Sequence, residues 1–141
     1  MKFKKAIDLS KLSFETKRDI NFFIKEKFQD SSEFTQSQIS KIEDIAKSLE
    51  EGYPRDYLIG NSEFYGRKYF VDQRVLIPRP ETEVLIDILK SLNLADDSIL
   101  CDLGTGSGCI GISLAMLNEN FIVFGVDISE AVSYTHLTLP T

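Results

Sequence analysis

The glycine-rich turn CDLGTGSG at residues 101–108 restricts the possible folds of this chain more than any other segment. A short apolar stretch at 98–103 leads into it, and a helix-like pattern at 109–117 follows. A second apolar stretch, at 121–126, then ends at Asp127. Strand, glycine turn, helix and strand in this order predict a βαβ unit with two parallel strands and a right-handed crossover. The sequence therefore predicts the beginning of an α/β domain.

The composition of the turn indicates a ligand site. Glycines let a ligand approach the backbone closely, because no Cβ atom stands in the way. Asp127 lies nineteen residues after Gly108, near the ~20-residue spacing of acids that bind ribose hydroxyls in dinucleotide sites. We therefore predict an adenosine-containing ligand at the carboxyl ends of the strands.

The charge of the turn bears on which ligand it binds. The glycines are spaced G-x-G-x-G rather than G-x-G-x-x-G, and Asp102 lies two residues before the first of them. A carboxylate repels a pyrophosphate but attracts the sulfonium and ammonium groups of S-adenosylmethionine. The pattern therefore favours S-adenosylmethionine over NAD. A second interpretation is that Asp102 only accepts hydrogen bonds from loop N–H groups, and the two roles can coexist.

The first part of the chain, residues 1–53, is predicted to form a small helical domain. Helical spacing of apolar residues indicates a helix over 13–28. A second helix over 35–51 begins at a capping box formed by Thr35 and Gln38.

Residues 54–78 are rich in aromatic and β-branched residues and predict extended strands, paired as a hairpin. A further helix begins near residue 79 with Pro80 in its first turn, and it opens a domain segment that runs to residue 131. The residues expected on the buried face of this helix are Val84, Leu85, Ile88, Leu89 and Leu92.

Composition excludes several classes of protein. The net charge of -6 argues against nonspecific binding of nucleic acid. No apolar run approaches the ~20 residues that cross a bilayer, and no secretory signal is recognisable, so we expect a cytoplasmic protein. With one histidine and no CxxC pair, no metal site is expected. Cys101 and Cys109 are expected to be buried structural residues, although a position near a helix start, as for Cys109, favours a thiolate.

Two separated motifs resemble a known family. The first consists of EFYG, YFV and VLIPRPETE within residues 63–83, and the second is ILCDLGTGSGCIGISLA at 99–115. In this order they are similar to the HemK/PrmC family of glutamine methyltransferases, which act on peptide chain release factors. The resemblance runs from about residue 54 to residue 128. The PRPETE segment favours the release-factor branch over a sister branch that methylates a ribosomal protein.

The resemblance implies a fold class and an activity. The chain would be an α/β protein, with the small helical domain followed by the first βαβ part of a Rossmann-like class I methyltransferase domain. The implied reaction transfers a methyl group from S-adenosylmethionine to the glutamine side-chain amide of the Gly-Gly-Gln motif in a release factor. The segment Pro80–Thr82 would lie near the cofactor, or would only cap the helix that begins near residue 79. The implied cofactor-binding residues are Asp102, Gly104, Thr105, Gly106, Ser107, Gly108 and Asp127.

The chain also departs from the family pattern. The family grips its glutamine with an Asn-Pro-Pro-Tyr motif, which does not occur in this sequence, so no catalytic residue is assigned. Residues 132–141 do not resemble the family and are interpreted as an artefactual tail, which gives His136 no catalytic role. A truncated sheet would leave Val123 and Val126 uncovered, and we expect this chain to fold poorly and to be inactive. Alternatives are the ribosomal-protein branch, an NAD-dependent oxidoreductase domain, or a noncatalytic binding module.

Overall fold

The structure is a computed structural model that describes residues 8–29 and 33–129. These residues form two compact units, which divide between Ile59 and Gly60. The proposed tail at 132–141 and His136 lie outside the described residues. Within the described ranges, no helix is both long and apolar enough to cross a membrane.

The first unit is helical, and the two helices predicted in it are present. A 3-10 turn at Leu9–Lys11 precedes α1 (Phe14–Phe28), α2 (Gln36–Glu50) and the short α3 (Arg55–Ile59). The predicted capping box at the start of α2 is confirmed, because the side chains and backbone N–H groups of Thr35 and Gln38 bond reciprocally. The main apolar cluster of this unit consists of Ile20, Ile24, Phe34, Ile39, Ile42 and Ala46.

The predicted extended region begins later than expected. Helix α3 occupies its first residues, because Ile59 is buried against Phe23 and Ile45 and this packing overrides the strand-like composition. The predicted hairpin is confirmed in the second unit, where β1 (Asn61–Phe64) pairs antiparallel with β2 (Arg67–Phe70).

Two residues with positive φ make the hairpin turn. Tyr65 has φ 49° and Gly66 has φ 71°, as a two-residue type I′ turn requires. The turn is held by the next helix, since the Tyr65 N–H donates to Glu83 and the Tyr65 hydroxyl donates to Asp87.

Helix α4 (Glu83–Ser91) follows a 3-10 turn at Pro80–Thr82, but its predicted buried face is wrong. Ile86 is completely buried in the main cluster of this unit, and Leu89 packs against that cluster. The helix carries apolar residues on two sides, and the side with Ile86 contacts the hairpin and the following helix. Of the five residues expected to be buried, four are exposed: Val84, Leu85, Ile88 and Leu92.

The predicted βαβ unit is present. Strands β3 (Ile99–Leu103) and β4 (Ile122–Val126) are parallel neighbours, and α5 (Cys109–Ala115) connects them. Helix α5 contacts both strands, and its Ser113 is hydrogen-bonded to the Tyr69 hydroxyl of the hairpin at 2.9 Å. The unit therefore packs hairpin, helices and parallel strands around one apolar cluster.

The sheet face away from α5 is exposed, and we call it the outer sheet face. Both Val123 and Val126 were expected to be uncovered. Val126 lies on this exposed face, but the expectation is wrong for Val123, which packs against the apolar cluster under α5. Cys101, expected to be buried, is exposed because strand alternation directs it outward when Asp102 faces inward. The outer sheet face consists of Ile99, Cys101, Leu103, Ile122, Phe124 and Val126.

Candidate functional site

The glycine loop, residues 104–108, lies at the carboxyl ends of the two parallel strands. Leu103 pairs with Val126 at this end, so the loop after β3 and Asp127 after β4 are neighbours. The Val126 carbonyl accepts N–H groups from both Gly104, at 2.7 Å, and Thr105, at 3.1 Å. The topology thus brings together the two regions that sequence reasoning assigned to one site.

Backbone conformation explains the three glycines of the loop. Gly104, Gly106 and Gly108 have φ values of 75°, 52° and 76°, in the left-handed region that residues with a Cβ atom rarely adopt. A Cβ atom placed on Gly104 would meet nothing within 4 Å. The loop therefore leaves open space beside its first glycine.

Asp102 faces inward from β3 and is buried. Its Oδ2 atom accepts two hydrogen bonds of 2.9 Å, from the Thr105 hydroxyl and from the Gly111 N–H in α5. This carboxylate therefore fixes the loop to the helix that follows it, in agreement with the second interpretation offered for Asp102.

Asp127 holds the loop from the other strand. Its Oδ2 accepts the Gly106 N–H at 2.9 Å, and its Oδ1 accepts the Ser129 N–H at 2.9 Å. The hydrogen bonds from Ser129 and then Gly106 lower the pKa of Asp127 below its ordinary value, although burial opposes them. The carboxylate is charged at neutral pH, and because its pKa is lowered it loses these bonds only at a pH below the ordinary titration range of aspartate.

Comparisons with known proteins bear on the family of the chain. No protein-family model matches the chain. Curated proteins do match it. The chain is 43% identical over 96 residues to a release factor glutamine methyltransferase of Lactococcus lactis, an alignment that covers 68% of this chain and 36% of the relative. By sequence, the chain belongs to the release factor glutamine methyltransferase family.

Two further relatives carry the same name. The protein from Bacillus anthracis is 43% identical over 102 residues, with 70% of this chain and 36% of the relative covered. The protein from Flavobacterium psychrophilum is 40% identical over 97 residues, with 66% of this chain and 34% of the relative covered. The chain therefore spans about a third of the length of the curated relatives it matches.

In this methyltransferase-family chain, the N–H groups of the glycine loop form hydrogen bonds within the protein. Those of Gly104 and Thr105 donate to Val126, that of Gly106 donates to Asp127, and that of Gly108 donates to the Thr105 carbonyl at 2.8 Å. A loop that binds pyrophosphate keeps such N–H groups for the ligand. Here four of the five loop N–H groups, those of Gly104, Thr105, Gly106 and Gly108, are already paired, and two carboxylates lie beside them. The loop therefore suits a cationic ligand better than an anionic one.

The remaining predicted residue of the loop, Ser107, is buried beside the start of α5, and so is Cys109. Burial raises the pKa of the Cys109 thiol, although a hydrogen bond with Ser107 opposes it. The position near a helix start therefore does not produce a thiolate, and Cys109 has the structural role expected of it.

Sequence reasoning missed two glycines that shape the site. A Cβ atom on Gly111 would lie 3.2 Å from Asp102 Oδ2, and one on Gly125 would lie 2.9 Å from Thr105 Oγ1. Neither glycine has a positive φ. In the sequence, Gly111 occurs inside a helix-like pattern and Gly125 inside a strand-like pattern. A glycine in such a place often marks a close approach by another group, and this signal could have identified both residues.

No metal centre is evident in the described parts of the chain. Within residues 8–29 and 33–129, no group of three or more His, Cys, Asp or Glu side chains is arranged to hold a metal ion.

Proposed function

We propose that this chain is the cofactor-binding part of a release factor glutamine methyltransferase. The proposed reaction transfers the methyl group of S-adenosylmethionine to the side-chain amide nitrogen of the glutamine in the Gly-Gly-Gln motif of a peptide chain release factor. Identity of 40% to 43% with curated enzymes of that name, over about two thirds of the chain, is the observation that carries the proposal.

The charge and hydrogen bonding of the loop support S-adenosylmethionine as the donor. Loop N–H groups that are already paired cannot neutralise a pyrophosphate, whereas Asp102 and Asp127 supply negative charge. Asp127 would bind the ribose, and residues 104–108 would line the methionine portion. When bound, the donor supplies a methyl carbon made electrophilic by its sulfonium group. The chain's own residues bind and orient it in a Rossmann-like site.

The acceptor requires a second set of groups. An amide nitrogen is a poor nucleophile because its lone pair is delocalised, so the glutamine must be held by hydrogen bonds and aimed at the methyl group. The Asn-Pro-Pro-Tyr motif that does this in the resembled family is not in this sequence. We therefore assign to this chain the binding of the donor and not the grip on the glutamine. Residues 1–53 would engage the release factor, in the cytoplasm.

The proposal predicts the ligand preference of the purified chain once a thermal unfolding transition has shown that it is folded. In isothermal titration, we expect S-adenosylmethionine to bind and NAD to give no heat of binding. Asp127→Ala should weaken S-adenosylmethionine binding roughly tenfold or more, because hydrogen bonds to a charged group contribute about 1.5–3 kcal/mol. Asp72→Ala is the matched control, since Asp72 is also a partly exposed carboxylate but is hydrogen-bonded to Arg74 and not to the loop. Binding of NAD without binding of S-adenosylmethionine would contradict the proposal.

A further inference from the structure

Gly125 and Thr105 are packed against each other across the candidate site. Gly125 lies in β4 opposite Asp102 of β3. A Cβ atom on Gly125 would lie 2.9 Å from Thr105 Oγ1 and 3.2 Å from both the Cβ and the Cγ2 of Thr105. The Thr105 side chain therefore occupies the space that any side chain at residue 125 would need.

We propose that Gly125 is a positioning residue for the donor-binding loop, an inference that rests on the proposed function. Its missing side chain lets Thr105 sit directly on β4, and from there the Thr105 hydroxyl reaches Asp102 Oδ2 at 2.9 Å. Thr105 is thus held between the backbone of one strand and the buried carboxylate of the other. This contact fixes the height of the glycine loop above the sheet.

Backbone conformation does not explain a glycine at residue 125. Its φ is not positive, so residues with a Cβ atom can adopt the same conformation. A glycine inside a strand destabilises it by roughly 0.5–1 kcal/mol relative to alanine, and it commonly marks a close approach by another group. In this structure the approaching group is Thr105.

The loop cannot adapt easily to a side chain at residue 125. Turning the Thr105 side chain away would break its hydrogen bond with Asp102, and the Thr105 Cβ atom moves only if the backbone moves. That backbone is anchored, because the N–H groups of Gly104 and Thr105 both donate to Val126. A methyl group on Gly125 must therefore displace the loop or break these bonds.

A double-mutant cycle tests this role. We expect Gly125→Ala to weaken S-adenosylmethionine binding by roughly tenfold or more, a change of about 1.4 kcal/mol. Thr105→Ala removes two of the three close contacts, so Gly125→Ala should cost clearly less affinity in a Thr105→Ala chain than in the unaltered chain, whatever Thr105→Ala itself costs. Amide hydrogen exchange at residues 104–108, measured by NMR without ligand, should accelerate on Gly125→Ala in the unaltered chain and change little on the same substitution in the Thr105→Ala chain.

Phe124→Ala is the matched control, because it alters the same strand on the outer sheet face. It should leave both the affinity and the exchange of the loop unchanged. A role limited to strand stability would accelerate exchange throughout β4 by the same amount in the unaltered chain and in the Thr105→Ala chain, and that result would overturn the inference. So would a Gly125→Ala chain with normal loop exchange and normal affinity.

The design separates this inference from the proposed function. If the unaltered chain is folded but binds no S-adenosylmethionine, the proposed function fails, and with it any role of Gly125 in binding that donor. The exchange measurements need no ligand, so a smaller effect of Gly125→Ala in the Thr105→Ala chain would still support Gly125 as the residue that positions the loop.

Discussion

Replacing Asp102 with alanine is expected to weaken S-adenosylmethionine binding roughly ten- to a hundredfold and to destabilise the second unit. The affinity falls because the loop loses its buried carboxylate and a negative charge near a cationic ligand. Stability falls because the Thr105 hydroxyl and the Gly111 N–H lose their shared acceptor, and an unsatisfied buried donor costs about 1–3 kcal/mol. Isothermal titration and hydrogen exchange measure the two effects separately.

Asp102→Asn separates the charge of this side chain from its positioning role. Both hydrogen bonds end on one oxygen, Oδ2, so an amide oxygen can accept them without a negative charge. We expect the asparagine variant to keep most of the stability and to lose less affinity than the alanine variant, the remaining loss being that of the negative charge. If it binds S-adenosylmethionine as tightly as the unaltered chain, Asp102 acts only by holding the loop, and the electrostatic account of the donor site is wrong.

Replacing Ile86 with alanine is expected to destabilise the second unit by about 2–5 kcal/mol, the usual cost of removing a fully buried isoleucine side chain. Ile86 is 0% exposed and packs with Phe64, Tyr69, Cys109 and Leu114. The loss should appear as faster amide exchange throughout residues 60–129. Peptide-level hydrogen exchange is the suitable measurement, because it reports the second unit separately from the helical one.

Ile88→Ala, on the same helix, is the matched control for the Ile86 variant. Ile88 is 51% exposed, so its truncation should cost about 1 kcal/mol or less. A larger effect at Ile88 than at Ile86 would mean that α4 packs through the side first predicted from sequence, and the packing described for this helix would then be wrong.

Local signals predicted much of the fold. The capping box of Thr35 and Gln38 fixes the start of α2 through bonds between residues three apart, so no distant contact is needed to recognise it. The hairpin turn and the glycine loop are equally local, because each depends on glycines in a few consecutive residues. The order of strand, loop, helix and strand then implied that Asp127 and the loop lie at one edge of a sheet.

Long-range packing accounts for what the sequence did not predict. Helix α4 is apolar on two sides, and only its contacts with the hairpin and α5 decide that Ile86 is buried while Ile88 is exposed. In β3 the charged residue, Asp102, faces inward. The usual rule that polar residues of a strand face outward therefore gives the wrong side for Cys101, which is exposed. The contact between Thr105 and Gly125 depends on strand register, which no local pattern records.

The proposed activity is tested most directly in a chimeric enzyme. The 96 matched residues of this chain would replace their counterparts in the Lactococcus lactis enzyme. Mass spectrometry would then locate any methyl group added to a release factor. We expect methylation of the Gly-Gly-Gln glutamine by the chimera and by the unaltered enzyme, and none by this chain alone. A chimera that folds and binds S-adenosylmethionine, but leaves that glutamine unmodified, would contradict the account.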